Sequence, residues 1–123
     1  MAYDQWAVVV VPFPFTDRNA RRRRPAVVVS RPSELGALVN HSVLAMITSA
    51  GHRRWPLDVP ITDLAAASIP APSVVRMKLF TLDDRLVQRQ AGMLAAIDAA
   101  AVAEALDRLL SIRSQGRLDQ ADG

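Results

Sequence analysis

The densest concentration of chemistry-bearing side chains is Arg21–Arg24, closed by Pro25. It sits on a polar stretch, Thr16–Arg23, between two apolar runs. Three other groups stand out: Thr48 with Ser49 at the end of SVLAMIT, Arg76 and Lys78 two apart in SVVRMKLF, and His52 beside Arg53 and Arg54. Arginine offers a planar fork of donors suited to phosphate, and a threonine hydroxyl can donate to a phosphate oxygen or accept from a neighbour. One chemistry needs no more than this: cleavage of RNA through its own 2′-hydroxyl. The substrate brings the nucleophile, and the protein aligns it and stabilises charge on the phosphorane. Arg24, fixed by the Arg-Pro junction, is the candidate for that charge, with Thr48 orienting and Arg76 adding a second cation. Thr16, Arg22, Arg23, Ser49 and Lys78 are candidate RNA contacts.

Plainer readings exist for each. An arginine run on a loop is often a solvated surface, and a threonine at a strand end is ordinary. His52 can bind phosphate or move a proton, or be an incidental loop histidine. Trp55 reads as a core or interface residue.

Much is excluded. Cysteine is absent, so there are no disulfides or thiolate metal sites. The two histidines, His41 and His52, have no metal-ligand spacing, and the acids are scattered. No glycine-rich phosphate loop or nucleophile elbow occurs. The expectation is an activity with no metal and no cofactor. No leader or membrane span is visible, which points to the cytoplasm. Net charge is +3, but the ten basic and five acidic residues before position 80 face five basic and seven acidic ones after it. Fourteen of the fifteen basic residues are arginine, which a GC-rich coding sequence also produces. The clustering at 21–24 is what favours a phosphate-bearing partner.

The elements that must position these groups are short strands. Ala7–Val11, Pro25–Ser30, Ser42–Thr48 and Ser73–Phe80 read as strands, and Trp55–Ile61 as a half-buried one of period two. Pro12 and Pro14 should end the first ladder. Gly36–Asn40 reads as loop, and Thr62–Pro72 as turn and short helix. Thr81 and Asp84 predict a helix over Leu82–Gln90 with Gly92 at its C-cap. Asp98 predicts the cap of a longer helix to Ile112, with Val102, Leu106, Leu109 and Leu110 on its apolar face. The sum is a mainly β domain, a small antiparallel barrel with a C-terminal α-helix, over residues 1–113. Residues 114–123 read as a polar tail.

VPFPFTD followed by RRPAVVVS, then AMITSA, Trp55-Pro56-Leu57-Asp58-Val59 and PSVVRMKLFTLDDRL, resembles the MazF/PemK-like toxins of bacterial toxin–antitoxin modules. The resemblance implies an SH3-like barrel, usually a homodimer. It implies a metal-independent, sequence-specific endoribonuclease acting on single-stranded RNA or mRNA, leaving 2′,3′-cyclic phosphate and 5′-hydroxyl ends. A cognate antitoxin would cover the RNA groove. Arg24, Thr48 and Arg76 match the family's catalytic positions. The chain departs at Trp6-Ala7, where relatives usually carry Gly-Asp. It also has Lys78 where one branch has an aspartate, so the general base and acid stay unassigned. Two alternatives remain: an inactive RNA- or antitoxin-binding relative, and a CcdB-like gyrase inhibitor on the same fold. The polar, non-aromatic tail Ser114–Gly123 counts against the second.

Overall fold

A computed structural model describes residues 2–13 and 22–112. Six strands form one antiparallel, curled sheet: β1 (Ala7–Phe13), β2 (Arg22–Val28), β3 (His41–Ser49), β4 (Val59–Pro60), β5 (Ser73–Asp83) and β6 (Arg89–Met93), ordered β4-β5-β3-β2-β1-β6. A helical turn, Pro32–Gly36, leads into α1 (Ala37–Val39); α2 (Leu64–Ala67) and α3 (Ala96–Leu110) complete the chain.

Both sheet faces are apolar, which is why the valine runs are continuous rather than alternating. On one face Val8, Val27, Ala45, Ile47 and Val75 pack with Ala67 of α2 and Ala99, Val102 and Ala105 of α3. On the other, Ala7, Val9, Val11, Ala26, Val28, Leu44 and Met46 form a second core, flanked by Tyr3, Phe13 and Phe80. The register keeps the two sets apart: Val8 faces Val27 and Val9 faces Ala26, while Ala26 faces Met46 and Val27 faces Ala45.

The ladder opens at one end. The β2–β3 pairing covers Ala26–Val28, whereas β2 pairs with β1 from Arg22 onward. Pro25 therefore stands where β2 loses its β3 neighbour and has no donor to forgo. Pro12 does not end β1, contrary to expectation; it pairs with Arg23. It is tolerated because β6 reaches only as far as Val10, leaving that side of β1 open.

Four further expectations fail for identifiable reasons. Trp55–Ile61 is not a strand: Pro56 and a left-handed Leu57 (φ 67°) break it, and only Val59–Pro60 pairs. No helix covers Leu82–Gln90. Strand β5 runs through Asp83 because Thr81, Leu82 and Asp83 pair with Val43, Ser42 and His41. A single tight turn, Asp84–Leu86, then leads to β6. Asp84 is buried and accepts from Ser42 Oγ at 2.6 Å. Gly92 is no cap; it lies in β6, where an added Cβ would come within 2.5 Å of the Ala66 carbonyl oxygen. Asp98 does not cap α3 either, which starts at Ala96. Its carboxylate instead accepts from Thr62 N, Thr62 Oγ1 and Asp63 N at 2.7–3.1 Å, tying α3 to the turn before α2. Val102 is buried and Leu106 half-buried, but Leu109, Leu110 and Ile112 are exposed. No helix among the described residues is long and apolar enough to cross a membrane.

Candidate functional site

In an antiparallel sheet the C-terminal ends of β1 and β3 and the N-terminal ends of β2 and β5 meet at one edge. Phe13, Arg24, Thr48 and the start of β5 thus share the end where the β2–β3 ladder has opened. They share a face as well. Arg24 is in phase with Ala26 and Val28, and Thr48 with Leu44 and Met46, all on the side of the second core. Continuing the Ala26–Met46 register by two residues sets Arg24 across the opening from Thr48.

Strand β5 adds its cations through a bulge. Ala45 pairs with Leu79 and Ile47 with Val75, so Arg76, Met77 and Lys78 stand opposite Met46 alone. Two extra residues preserve the alternation: Met77 packs into the helix-covered core, and Arg76 and Lys78 keep the other face. The Lys78 ammonium lies 5.7 Å from the centre of the Phe13 ring, and the Arg24 guanidinium 5.2 Å from the same ring. One aromatic ring thereby gathers cations from two strands that are not neighbours.

Arg76 is held differently. Its Nε and Nη2 donate to Asp58 at 3.1 and 2.9 Å, Nη2 also donates to the Arg53 carbonyl at 2.7 Å, and its guanidinium lies 4.9 Å from the Trp55 ring centre. Asp58 in turn accepts from the Trp55 N–H at 2.9 Å. Burial pushes the Asp58 carboxyl up, but the Arg76 hydrogen bond, the Trp55 N–H and the charges of Arg76 and Arg54 outweigh it, leaving its pKa below the ordinary value. The Asp58 hydrogen bond raises Arg76 further, against its own desolvation. Trp55 is thus a stacking partner at the surface rather than a core residue.

Thr48, half-buried, pairs through Oγ1 with His52 Nδ1 at 2.8 Å. His52, Ser49, Arg54, Asp58 and Arg76 line one cavity of about 330 Å³. A larger groove of about 680 Å³ is lined by Arg23, Arg24, Pro25, Ser68 and Arg89. The structure therefore divides the expected residues. Arg24 joins Lys78 through Phe13, Thr48 joins His52, and Ser49 joins Arg76. Arg22 is exposed beside Phe13, and Arg23 takes the opposite strand phase, toward the larger groove. Thr16 lies outside the described residues. Sequence reasoning missed Phe13 and Asp58 as organisers; the Phe13 in VPFPF and the Asp58 three residues after Trp55 were the available signals. Among the described residues no cluster of three metal-ligating side chains occurs.

The departure at Trp6-Ala7 has a structural reading. Trp6 has φ 76°, a left-handed backbone in which glycine is at ease and tryptophan is strained. Ala7 is fully buried in the second core. It lies four residues, about 13 Å, along β1 from Val11, the partner of Arg24. The missing acid is therefore a change in the core, away from the Arg24 end.

Residues 4–110 match the family model described as PemK-like, MazF-like toxin of type II toxin–antitoxin systems. No curated protein matches the chain. Among solved structures, a MazE–MazF complex from Deinococcus radiodurans is similar at TM-score 0.72 and 21% identity, over 91% of this chain and 99% of that one. The Mycobacterium tuberculosis toxin MazF-mt6 is similar at 0.67 and 22%, over 86% and 97%. An endoribonuclease in complex with its cognate antitoxin, from a mycobacterial species, is similar at 0.70 and 16%, over 90% and 97%.

Proposed function

The chain belongs to the PemK-like, MazF-like toxin family of type II toxin–antitoxin systems, and from that premise we propose that it is a metal-independent endoribonuclease cleaving single-stranded RNA, mRNA above all. The observation that carries the reading is the meeting of Arg24, Thr48 and the Arg76–Lys78 bulge on one face where the β2–β3 ladder opens. In this reading the RNA backbone crosses that opening. Arg24 stabilises the phosphorane, because a fixed cation in a partly dry groove acts most strongly where charge develops. The Thr48 hydroxyl donates to a non-bridging oxygen. Arg76 commits Nε and Nη2 to Asp58 and leaves Nη1 for phosphate. Lys78, Ser49, Arg22 and Arg23 contact the strand on either side, as would Thr16.

A cognate antitoxin is the expected partner, as in the MazE–MazF and endoribonuclease–antitoxin complexes. The chain would act in the bacterial cytoplasm as a homodimer on an SH3-like barrel, and the exposed Leu109, Leu110 and Ile112 at the end of α3 supply apolar surface for a second copy. The test is direct. The purified protein is incubated with defined RNA in EDTA and the cut ends are mapped. Ends carrying 2′,3′-cyclic phosphate and 5′-hydroxyl support the enzyme. RNA that is bound but left whole supports an inactive relative instead.

A further inference from the structure

Cleavage through the 2′-hydroxyl needs a group that takes its proton, and arginine cannot serve because it stays charged. Asp58 is the carboxylate lining the 330 Å³ cavity, and it is committed to Arg76 and the Trp55 N–H. His41 sits seven residues from Thr48, about 23 Å along β3, and its Nδ1 meets the Val39 carbonyl at 2.8 Å. His52 lines the same cavity and contacts Thr48 Oγ1 at 2.8 Å. Its turn is fixed by backbone bonds: Ala50 N donates to the Pro72 carbonyl at 3.0 Å and His52 N to the Ser49 carbonyl at 3.2 Å.

We propose that His52, oriented by Thr48 and rooted in the cavity shared with Arg76, is the proton acceptor of the cleavage step; the inference rests on the endoribonuclease reading above. The 2.8 Å contact between Thr48 Oγ1 and His52 Nδ1 fits either imidazole tautomer, and the proposed step uses the one protonated at Nδ1. Nδ1 carries the hydrogen and donates to Thr48 Oγ1, so Nε2 is the unprotonated nitrogen left for substrate. Thr48 then accepts from His52 and keeps its own hydrogen for a non-bridging phosphate oxygen. In the step, the 2′-hydroxyl proton passes to Nε2, the O2′–P bond forms and the P–O5′ bond breaks. The departing 5′-oxygen takes a proton from water, and the imidazolium returns its proton to solvent. The charged neighbours of His52 are Arg53 and Arg54 in its own turn and Asp58 and Arg76 across the cavity.

The test compares the full-length wild type, His52→Ala and Thr48→Val on a defined RNA, with 2′-O-methyl RNA of the same sequence as the binding probe. The expected result is a fall in kcat/KM of about 10²- to 10⁴-fold for His52→Ala. Binding of the 2′-O-methyl RNA should be kept, the acid limb of the pH–rate profile lost, and part of the rate restored by added imidazole. Thr48→Val should lower the rate, and imidazole should not restore it. Wild-type rate in His52→Ala overturns the assignment, as does a reduced rate with an unchanged pH profile and no imidazole rescue. A wild type that leaves RNA whole overturns instead the reading on which the assignment rests.

Discussion

Arg24 stands where β2 is paired on one side only, and its guanidinium is kept from wandering by the Phe13 ring at 5.2 Å. The Lys78 ammonium lies 5.7 Å from the centre of the same ring, so Phe13 is a common partner for two cations. Phe13→Leu keeps an apolar side chain at the flank of the second core but removes the ring face. The expected outcome is RNA binding weakened by about 1 kcal/mol, roughly fivefold, with the thermal midpoint nearly unchanged, read by fluorescence anisotropy and a melt. At this scale the sequence pointed to residue types: Arg24 and Thr48 were named from strand ends, and Arg76 and Lys78 from their shared face of one strand. Their partners could not be named, because Asp58 reaches Arg76 across eighteen residues and Lys78 reaches Phe13 from a strand that is not its neighbour. Trp6 shows the opposite case. Its left-handed backbone explains why glycine suits that position, yet its identity gives no sign of the conformation.

Elements were legible wherever burial on both faces left a valine-rich run, as in β1, β2, β3 and β5. They were misread where pairing overrode local signals. Thr81 and Asp84 look like a helix start, but β3 was long enough to hold Thr81–Asp83 in the sheet. Asp98 looks like a cap, but it lies inside the first turn of α3 and faces the donors of Thr62 and Asp63. Burial raises its pKa, and those bonds more than offset this, leaving it below the ordinary 3.8. A carboxylate whose folded pKa is depressed contributes stability above its unfolded pKa and loses it as pH falls through the folded value. Stability should therefore hold from neutral pH down to about 4 and decline below that. Asp98→Asn should cost about 2–3 kcal/mol at pH 7 and flatten the acid decline, measured by urea denaturation across pH. An equally steep acid limb in the variant would assign the dependence to other carboxylates.

At the scale of the whole molecule, charge and fold agree. The sequence carries its basic excess before position 80, and the sheet brings Arg24, Arg76 and Lys78 from that half to one end. The curled antiparallel sheet with a C-terminal helix was readable from the run of short strands and the resemblance; its opening between β2 and β3 was not, because it depends on where the ladder stops. In the proposed reading Arg22 and Arg23 act on the RNA backbone as charges, so they should be replaceable singly. Each alanine variant should weaken binding by the same factor on any RNA sequence and reduce the slope of log K against log salt by about 0.7. The central claim is that Arg24 acts on the phosphorane, and it is tested most directly by end-mapped cleavage of a defined RNA in EDTA by the wild type and Arg24→Ala. The account predicts cyclic-phosphate and 5′-hydroxyl ends from the wild type, and a rate lower by about 10²- to 10³-fold from a variant that melts normally. A correctly folded Arg24→Ala protein that cuts at the wild-type rate would contradict it.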